Sequence, residues 1–130
     1  MATPASRPDD GLSVPSYRVA VDVLGVLPGV SPPDVLPRAE EILGAGHLVE
    51  DRSVEIVRGQ PQIHLRFLVP SGSDRGEDAE AEGAVRSLVG DLSGSAELGT
   101  WTLRRGPGRH WRTIRTGRAE DDAVEFPVDF

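Results

Sequence analysis

Cys, Lys and Asn are all absent from this chain of 130 residues. The lack of Cys excludes disulfide bonds, thiol nucleophiles and Cys-based zinc or iron–sulfur sites. The lack of Lys excludes Schiff-base chemistry and the P-loop lysine, and the lack of Asn removes a common oxyanion-hole donor. All 14 basic residues are therefore Arg. These absences exclude more chemistry than the residues that are present suggest.

Long apolar runs are missing as well. Residues 1–15 are small, polar and Pro-containing, so we expect them to be disordered and see no secretory signal in them. No run approaches the roughly 18 apolar residues of a membrane span. We therefore expect a cytoplasmic protein with no membrane partner. The length indicates one domain, which we place at residues 16–118, before an acidic tail at 119–130.

Hydrophobic periodicity predicts the order of the elements along the domain. Alternation predicts strands at residues 17–26, 47–58, 63–69, 98–105 and 109–116, with a turn at Gly59-Gln60-Pro61. Apolar stripes with helical spacing predict two helices. One begins at Ser31–Asp34 and ends at Gly44–Gly46, and the other runs from about Glu77 to Leu92.

This order, β-α-β-β-α-β with a further strand, predicts an α+β fold. One antiparallel sheet with both helices on one face is the simplest way to bury the apolar faces. The order over residues 16–105 resembles the ferredoxin-like split βαβ plait, to which the last strand adds a C-terminal hairpin. The resemblance is to a fold and carries no function by itself. Acylphosphatases share that fold and rely on an Arg and an Asn, and the lack of Asn argues against their activity.

Charge is segregated along the sequence. Residues 98–118 contain six Arg and no acidic residue, whereas residues 119–130 contain five acidic residues and no Arg. Arg pairs with phosphate and Trp stacks on bases, so this hairpin is a candidate nucleic-acid or anionic-ligand site. Its predicted binding residues are Arg104, Arg105, Arg109, Trp111, Arg112 and Arg115.

A second interpretation of the hairpin is that its Arg residues pair with the protein's own acids. The acidic tail is the nearest source of those acids along the chain. The net charge of −7 repels polyanions, so we do not favour nucleic acid as a partner.

The acidic tail has two interpretations of its own. Val124, Phe126 and Val128 alternate with other residues, which predicts a short strand on a sheet edge of this chain or of a second copy. Alternatively, the tail is a disordered peptide that presents Phe130 to a partner. Both interpretations make Phe126, Val128 and Phe130 an interaction segment.

One group of polar residues is a candidate for catalysis. In the predicted sheet, Asp22, His64 and Arg66 share the helix-free face, where a carboxylate could orient His64 as a general base. The alternative is a solvated or dimer-facing surface with ordinary cross-strand ion pairs. His47, His64 and His110 lie far apart in the sequence, so we expect no metal site and no cofactor.

We therefore predict a non-enzymatic binding protein. It would act as a homo-oligomer or with a protein partner, through the open sheet face or the C-terminal strand. The alternatives are a binder of nucleic acid or an anionic ligand that uses residues 98–118, and a small enzyme that uses His64 as its base.

Overall fold

The computed structural model describes residues 16–70, 73–106 and 111–122. Within these residues the chain forms five strands and three helices. The strands are β1 (Ser16–Val26), β2 (Val49–Val57), β3 (Gln60–Leu68), β4 (Ala96–Arg105) and β5 (Arg112–Arg118). The helices are α1 (Val35–Gly44), which follows a 3-10 turn at Pro32–Asp34, α2 (Asp74–Leu92) and the short α3 (Ala119–Asp122). The predicted α+β class is confirmed.

The strands form a single antiparallel sheet in the order β2-β3-β1-β4-β5. As the sequence predicts, β1 and β3 are neighbours inside the sheet, and β5 forms a hairpin with β4. Arg18 of β1 is the cross-strand neighbour of Arg66 on one side and of Arg104 on the other. The strand alternation then fixes which side chains share each face of the sheet.

The core lies between one face of the sheet and the helices. Tyr17, Phe67 and Trp101 are its largest side chains, and all three are fully buried. Gly117 of β5 lies directly against Trp101, since a Cβ atom at Gly117 would come within 2.5 Å of the indole ring. No described helix covers the opposite face of the sheet, which we call the open face.

Local chemistry shifts two boundaries from their predicted positions. Helix α2 begins at Asp74 rather than Glu77, because the side chain of Ser73 caps it by accepting a hydrogen bond from the Gly76 backbone N–H. The turn between β2 and β3 is Arg58-Gly59, with φ values of 55° and 80°. Two positive φ values are typical of the type I′ turns that close two-residue hairpins.

Several predictions fall on parts of the chain that the structure does not describe. They are the expected disorder of residues 1–15 and the expected strand or peptide around Val124, Phe126, Val128 and Phe130. The described start of the acidic tail is helix α3, whose Ala119 is buried. In the described ranges, no helix is long and apolar enough to cross a bilayer.

Candidate functional site

The open face carries a row of Arg residues on its three inner strands. Arg66, Arg18 and Arg104 are cross-strand neighbours in β3, β1 and β4. Directly opposed side chains in a sheet have Cβ atoms about 4.5–5.5 Å apart, and directly opposed like charges destabilise the pair. The row therefore concentrates positive charge on the open face of an acidic protein.

The three Arg residues differ in how far they are neutralised. The Nε of Arg66 lies 3.1 Å from Oε1 of Glu50 and 3.0 Å from Oγ of Ser16, which in turn donates to Glu50. Arg18 reaches Oε2 of Glu55 only at 3.7 Å.

Arg104 donates to the hydroxyl of Thr113, and no carboxylate of a described residue lies within ion-pairing distance of it. Arg18 and Arg104 are thus adjacent cations with little compensating charge.

Trp111, which immediately precedes β5, also contacts this row of Arg residues. Its ring centre lies 5.6 Å from Cζ of Arg66, in a cation–π arrangement. Trp111 lines a pocket of about 80 Å³ together with Arg18, Asp51 and His64. The structure therefore joins part of the predicted Arg/Trp hairpin site to part of the predicted catalytic group.

A chain of hydrogen bonds fixes His64 on the same face. The side-chain amide of Gln62 donates to Oδ1 of Asp22 at 2.8 Å, which leaves its Oε1 to accept from Nε2 of His64 at 3.1 Å. Asp22 is thus linked to His64 through Gln62. In the neutral ring Nδ1 of His64 then carries no proton, and this buried nitrogen has no hydrogen-bond partner among the described residues.

The electrostatics keep His64 neutral. Burial lowers its pKa below the usual range; Glu55 opposes this shift, and the nearby charges of Arg18 and Arg104 add to it. A general base needs an accessible lone pair, whereas Nδ1 is shielded from solvent. The geometry therefore does not favour His64 as a base, and the enzyme hypothesis stays a prediction.

Arg105 lies on the helix side of the sheet, away from the open face. Its guanidinium donates to the Tyr17 hydroxyl, to Asp78 Oδ1 at 2.7 Å and to Glu77 Oε1 at 2.7 Å. Tyr17 also donates to Asp78, at 2.6 Å. Glu77 is only 6% exposed, so this group joins β1, β4 and the first turn of α2 in a buried polar cluster.

The cluster has clear electrostatic consequences. Burial lowers the pKa of Arg105, but the hydrogen bonds to Glu77 and Asp78 outweigh it and raise the pKa overall. Burial also raises the pKa of Tyr17, as does the bond to Asp78. Arg105 therefore remains charged and is already occupied by the protein's own carboxylates.

The remaining predicted residues of the hairpin are dispersed. Arg115 donates to Glu82 of α2 at 3.1 Å, and Arg112 is exposed at the start of β5. Arg118 pairs with Glu120 of the tail at 3.7 Å. Arg109, Phe126, Val128 and Phe130 lie outside the described residues.

The alternation of apolar and polar residues along each strand predicts which face of the sheet these Arg residues occupy. Trp101 and Leu103 are apolar and alternate, so Arg105 shares their parity and lies on the helix side. Arg104 has the opposite parity and lies on the open face. Arg18 alternates with Tyr17, Val19 and Val21 in the same way, which predicts the open face for it too, whereas its opposition to Arg104 depends on the cross-strand register.

A second cavity of about 550 Å³ lies between α1 and α2. His47 lines it, but its Nε2 is already bonded to Oε2 of Glu80 at 2.9 Å. Leu43 and Leu88 make much of the remaining wall apolar. Throughout the described part of the chain, no three His, Asp or Glu side chains gather as a metal-binding group. The open face therefore has the stronger claim to bind a charged ligand.

Comparison with known protein families, with curated proteins and with solved structures gives no match to this chain.

Proposed function

We propose that this protein is a non-enzymatic binding protein whose open face holds the anionic group of a ligand between Arg18 and Arg104. The observation that carries this proposal is the direct opposition of these two cations, of which Arg18 reaches only Glu55, at 3.7 Å, and Arg104 pairs with no carboxylate of a described residue. The chain has 21 acidic residues available for pairing. Two neighbouring guanidinium groups match the geometry of a phosphate or carboxylate, each of which accepts several charge-assisted hydrogen bonds.

The ligand is a small molecule that carries a phosphate or carboxylate. Arg18 also lines an adjoining pocket of about 80 Å³ with Trp111, Arg66 and Asp51, so a ligand held by Arg18 lies beside an aromatic wall. Nucleic acid is less favoured, because Arg105 and Arg115 are occupied by carboxylates of α2 and the chain is strongly acidic.

Calorimetry with inorganic phosphate at low ionic strength tests this proposal. We expect the wild-type chain to bind, and Arg18→Gln or Arg104→Gln to weaken binding by about 10- to 100-fold. That range corresponds to the loss of a hydrogen bond to a charged group, about 1.5–3 kcal/mol.

Arg112→Gln is the matched control, because it removes the same charge from the same hairpin at an exposed position. We expect its affinity to stay within about twofold of wild type, because Arg112 is the cross-strand neighbour of Arg105 and therefore lies on the other face of the sheet. No phosphate binding by the wild-type chain would refute the proposal. An equal loss in Arg112→Gln would show that net charge alone is responsible. Binding of a single-stranded oligonucleotide without binding of phosphate would favour the nucleic-acid alternative.

We also propose the finer assignments that the sequence suggested. The ferredoxin-like plait is supported by the β-α-β-β-α-β order and by the central position of β1 and β3, with β5 as an added edge strand. Cytoplasmic location and homo-oligomer formation remain proposals from the sequence.

A further inference from the structure

We propose that His64 and Glu55 couple anion binding on the open face to the uptake of a proton. This proposal rests on the proposed function, because it concerns the same two cations, Arg18 and Arg104. It adds that the site holds its anion more tightly when His64 is protonated, so that an anion and a proton are bound together. The carboxylate of Glu55 connects the two events, because it lies between His64 and Arg18.

Glu55 is shared between two partners on the open face. Its Oε1 lies 3.6 Å from Nε2 of His64, and its Oε2 lies 3.7 Å from Nη2 of Arg18. Both distances exceed the length of a hydrogen bond, and the Glu55 side chain is 48% exposed, so neither partner holds the carboxylate firmly. A ligand anion that binds Arg18 therefore leaves Glu55 to His64 alone.

The charged residues around His64 come from four strands. Those that face it or line its pocket are Arg18 and Asp22 in β1, Asp51, Arg52 and Glu55 in β2, Arg66 in β3 and Arg104 in β4. Arg66 pairs with Glu50, and Arg52 pairs with Glu40. Arg18 and Arg104 are therefore the least compensated of these cations.

A bound anion changes the balance of charge at His64. In the empty site, burial is the largest cause that lowers the pKa of His64; Glu55 opposes it, and Arg18 and Arg104 add to it. An anion between the two Arg residues offsets their charge, and the released Glu55 carboxylate then faces the imidazolium.

These two negative charges have to offset a definite cost. The second proton of the ring sits on Nδ1 of His64, which is buried and has no partner among the described residues. Coupling between two bound species is reciprocal, so protonation of His64 strengthens anion binding by the same factor by which the anion favours the proton. Anion affinity therefore rises as the pH falls towards the pKa of His64 in the complex.

Calorimetry with sulfate at constant, low ionic strength tests this coupling. Sulfate keeps its double charge between about pH 7.5 and about pH 5.5, whereas phosphate changes its own charge over that range. We expect the affinity of wild type to increase on acidification by a factor at least about three times that of His64→Gln. The gradual loss of negative charge from the rest of the protein affects both proteins and cancels in this ratio.

His47→Gln is the matched control. His47 is the other His among the described residues, it is bonded to Glu80 between α1 and α2, and the substitution is the same. We expect this variant to keep the pH dependence of wild type. Equal pH dependence in wild type and His64→Gln would overturn the coupling and leave the anion site in place. Absence of sulfate binding at every pH would also overturn it, and phosphate calorimetry at neutral pH then shows whether the anion site fails with it.

Glu55→Gln tests the shared carboxylate. This variant frees Arg18, so we expect sulfate to bind up to about fivefold more tightly at about pH 7.5, and the pH dependence to shrink because no carboxylate then faces the imidazolium. Glu41→Gln makes the same change of charge at an exposed position on α1, and we expect it to have neither effect. Equal effects of the two variants would contradict the role given to Glu55.

NMR of the His rings in wild type gives a readout that does not depend on the folding of any variant. We expect saturating sulfate to raise the pKa of His64 and to leave that of His47 unchanged. A pKa of His64 that bound sulfate does not move would refute the coupling.

Discussion

Arg105 is the residue whose charge the fold depends on most. Its partners Tyr17 and Glu77 are buried, and Asp78 is partly buried. Removing one member of such a group leaves the others as uncompensated buried charge or as unpaired donors and acceptors, which typically destabilises a protein by about 3–5 kcal/mol.

We therefore expect Arg105→Met to lower the free energy of unfolding by about 3 kcal/mol at neutral pH. Urea denaturation measures this change. Arg112→Met, on an exposed residue of the same hairpin, should change stability by less than about 0.5 kcal/mol. A loss that is the same for both variants would contradict the role given to the cluster.

His64 makes stability depend on pH with a definite sign. Its pKa is lowered in the folded chain, so below the unfolded value of about 6.5 the unfolded chain binds a proton that the folded chain does not. The contribution is complete above that value and is lost as the pH falls through the folded pKa.

We expect the stability of wild type relative to His64→Gln to decrease from pH 7 towards pH 5.5, by at most about 1.4 kcal/mol per pH unit. Parallel urea titrations of the two proteins give this difference, and His47 and His110 cancel because both proteins contain them. A difference that does not vary with pH would refute this explanation.

At the scale of elements, two glycines have opposite consequences. Gly117 lies against the Trp101 ring, and a Cβ atom there would come within 2.5 Å of it. Gly83 lies in the interior of α2, and a Cβ atom there would meet nothing within 4 Å. We expect Gly117→Ala to destabilise the protein by about 1–3 kcal/mol and Gly83→Ala to stabilise it by about 1 kcal/mol.

Thermal or urea denaturation of the two alanine variants checks both signs. Because the same substitution is made in each, differences in side-chain chemistry cannot explain opposite results. Destabilisation by Gly83→Ala would mean that the groove beside α2 is tighter than the structure indicates.

The helices and strands were predictable where one local sequence pattern, such as alternation, determines the element. The alternation of apolar and polar residues predicted β1 and β3, because one face of each strand packs against the helices and the other belongs to the open face. The turn was displaced to Arg58-Gly59, since the sequence rule relied on Pro61, which lies within β3. Helix α3 was missed, because four residues have too little periodicity to be recognised.

The site was predictable only in part, for a related reason. Parity along one strand places His64 and Arg66 on the open face, as the sequence indicated. The opposition of Arg18 to Arg104 depends on the register between β1 and β4 and joins two residues that lie more than 80 positions apart in the sequence. The position of Trp111 over Arg66 depends on how a hairpin end bends, which no local pattern encodes.

At the scale of the whole molecule, the net charge of −7 has opposite effects on the proposed anion binding and on the proposed formation of a homo-oligomer. Salt weakens an anion held by Arg18 and Arg104, because it screens their attraction. The same salt strengthens a dimer of two acidic chains, because it screens their mutual repulsion.

We therefore expect phosphate affinity to fall and dimer affinity to rise as sodium chloride increases from about 20 to about 200 mM, a range over which the screening length shortens severalfold. Calorimetry and sedimentation velocity measure the two trends on the same protein. Parallel trends would mean that the dimer is held mainly by cross-chain ion pairs rather than by apolar contacts.

The central position of β1 also affects how the chain is made. β1 is the first of the described strands, yet its neighbours β3 and β4 end at Leu68 and Arg105. During synthesis, the apolar side chains of Val19 and Val21 therefore lack their β4 neighbours until most of the chain has been made. Such distant pairings slow folding and leave nascent chains prone to aggregation. A ribosome-bound chain that stops before β4 should therefore recruit chaperones, although the finished protein can fold its sheet completely.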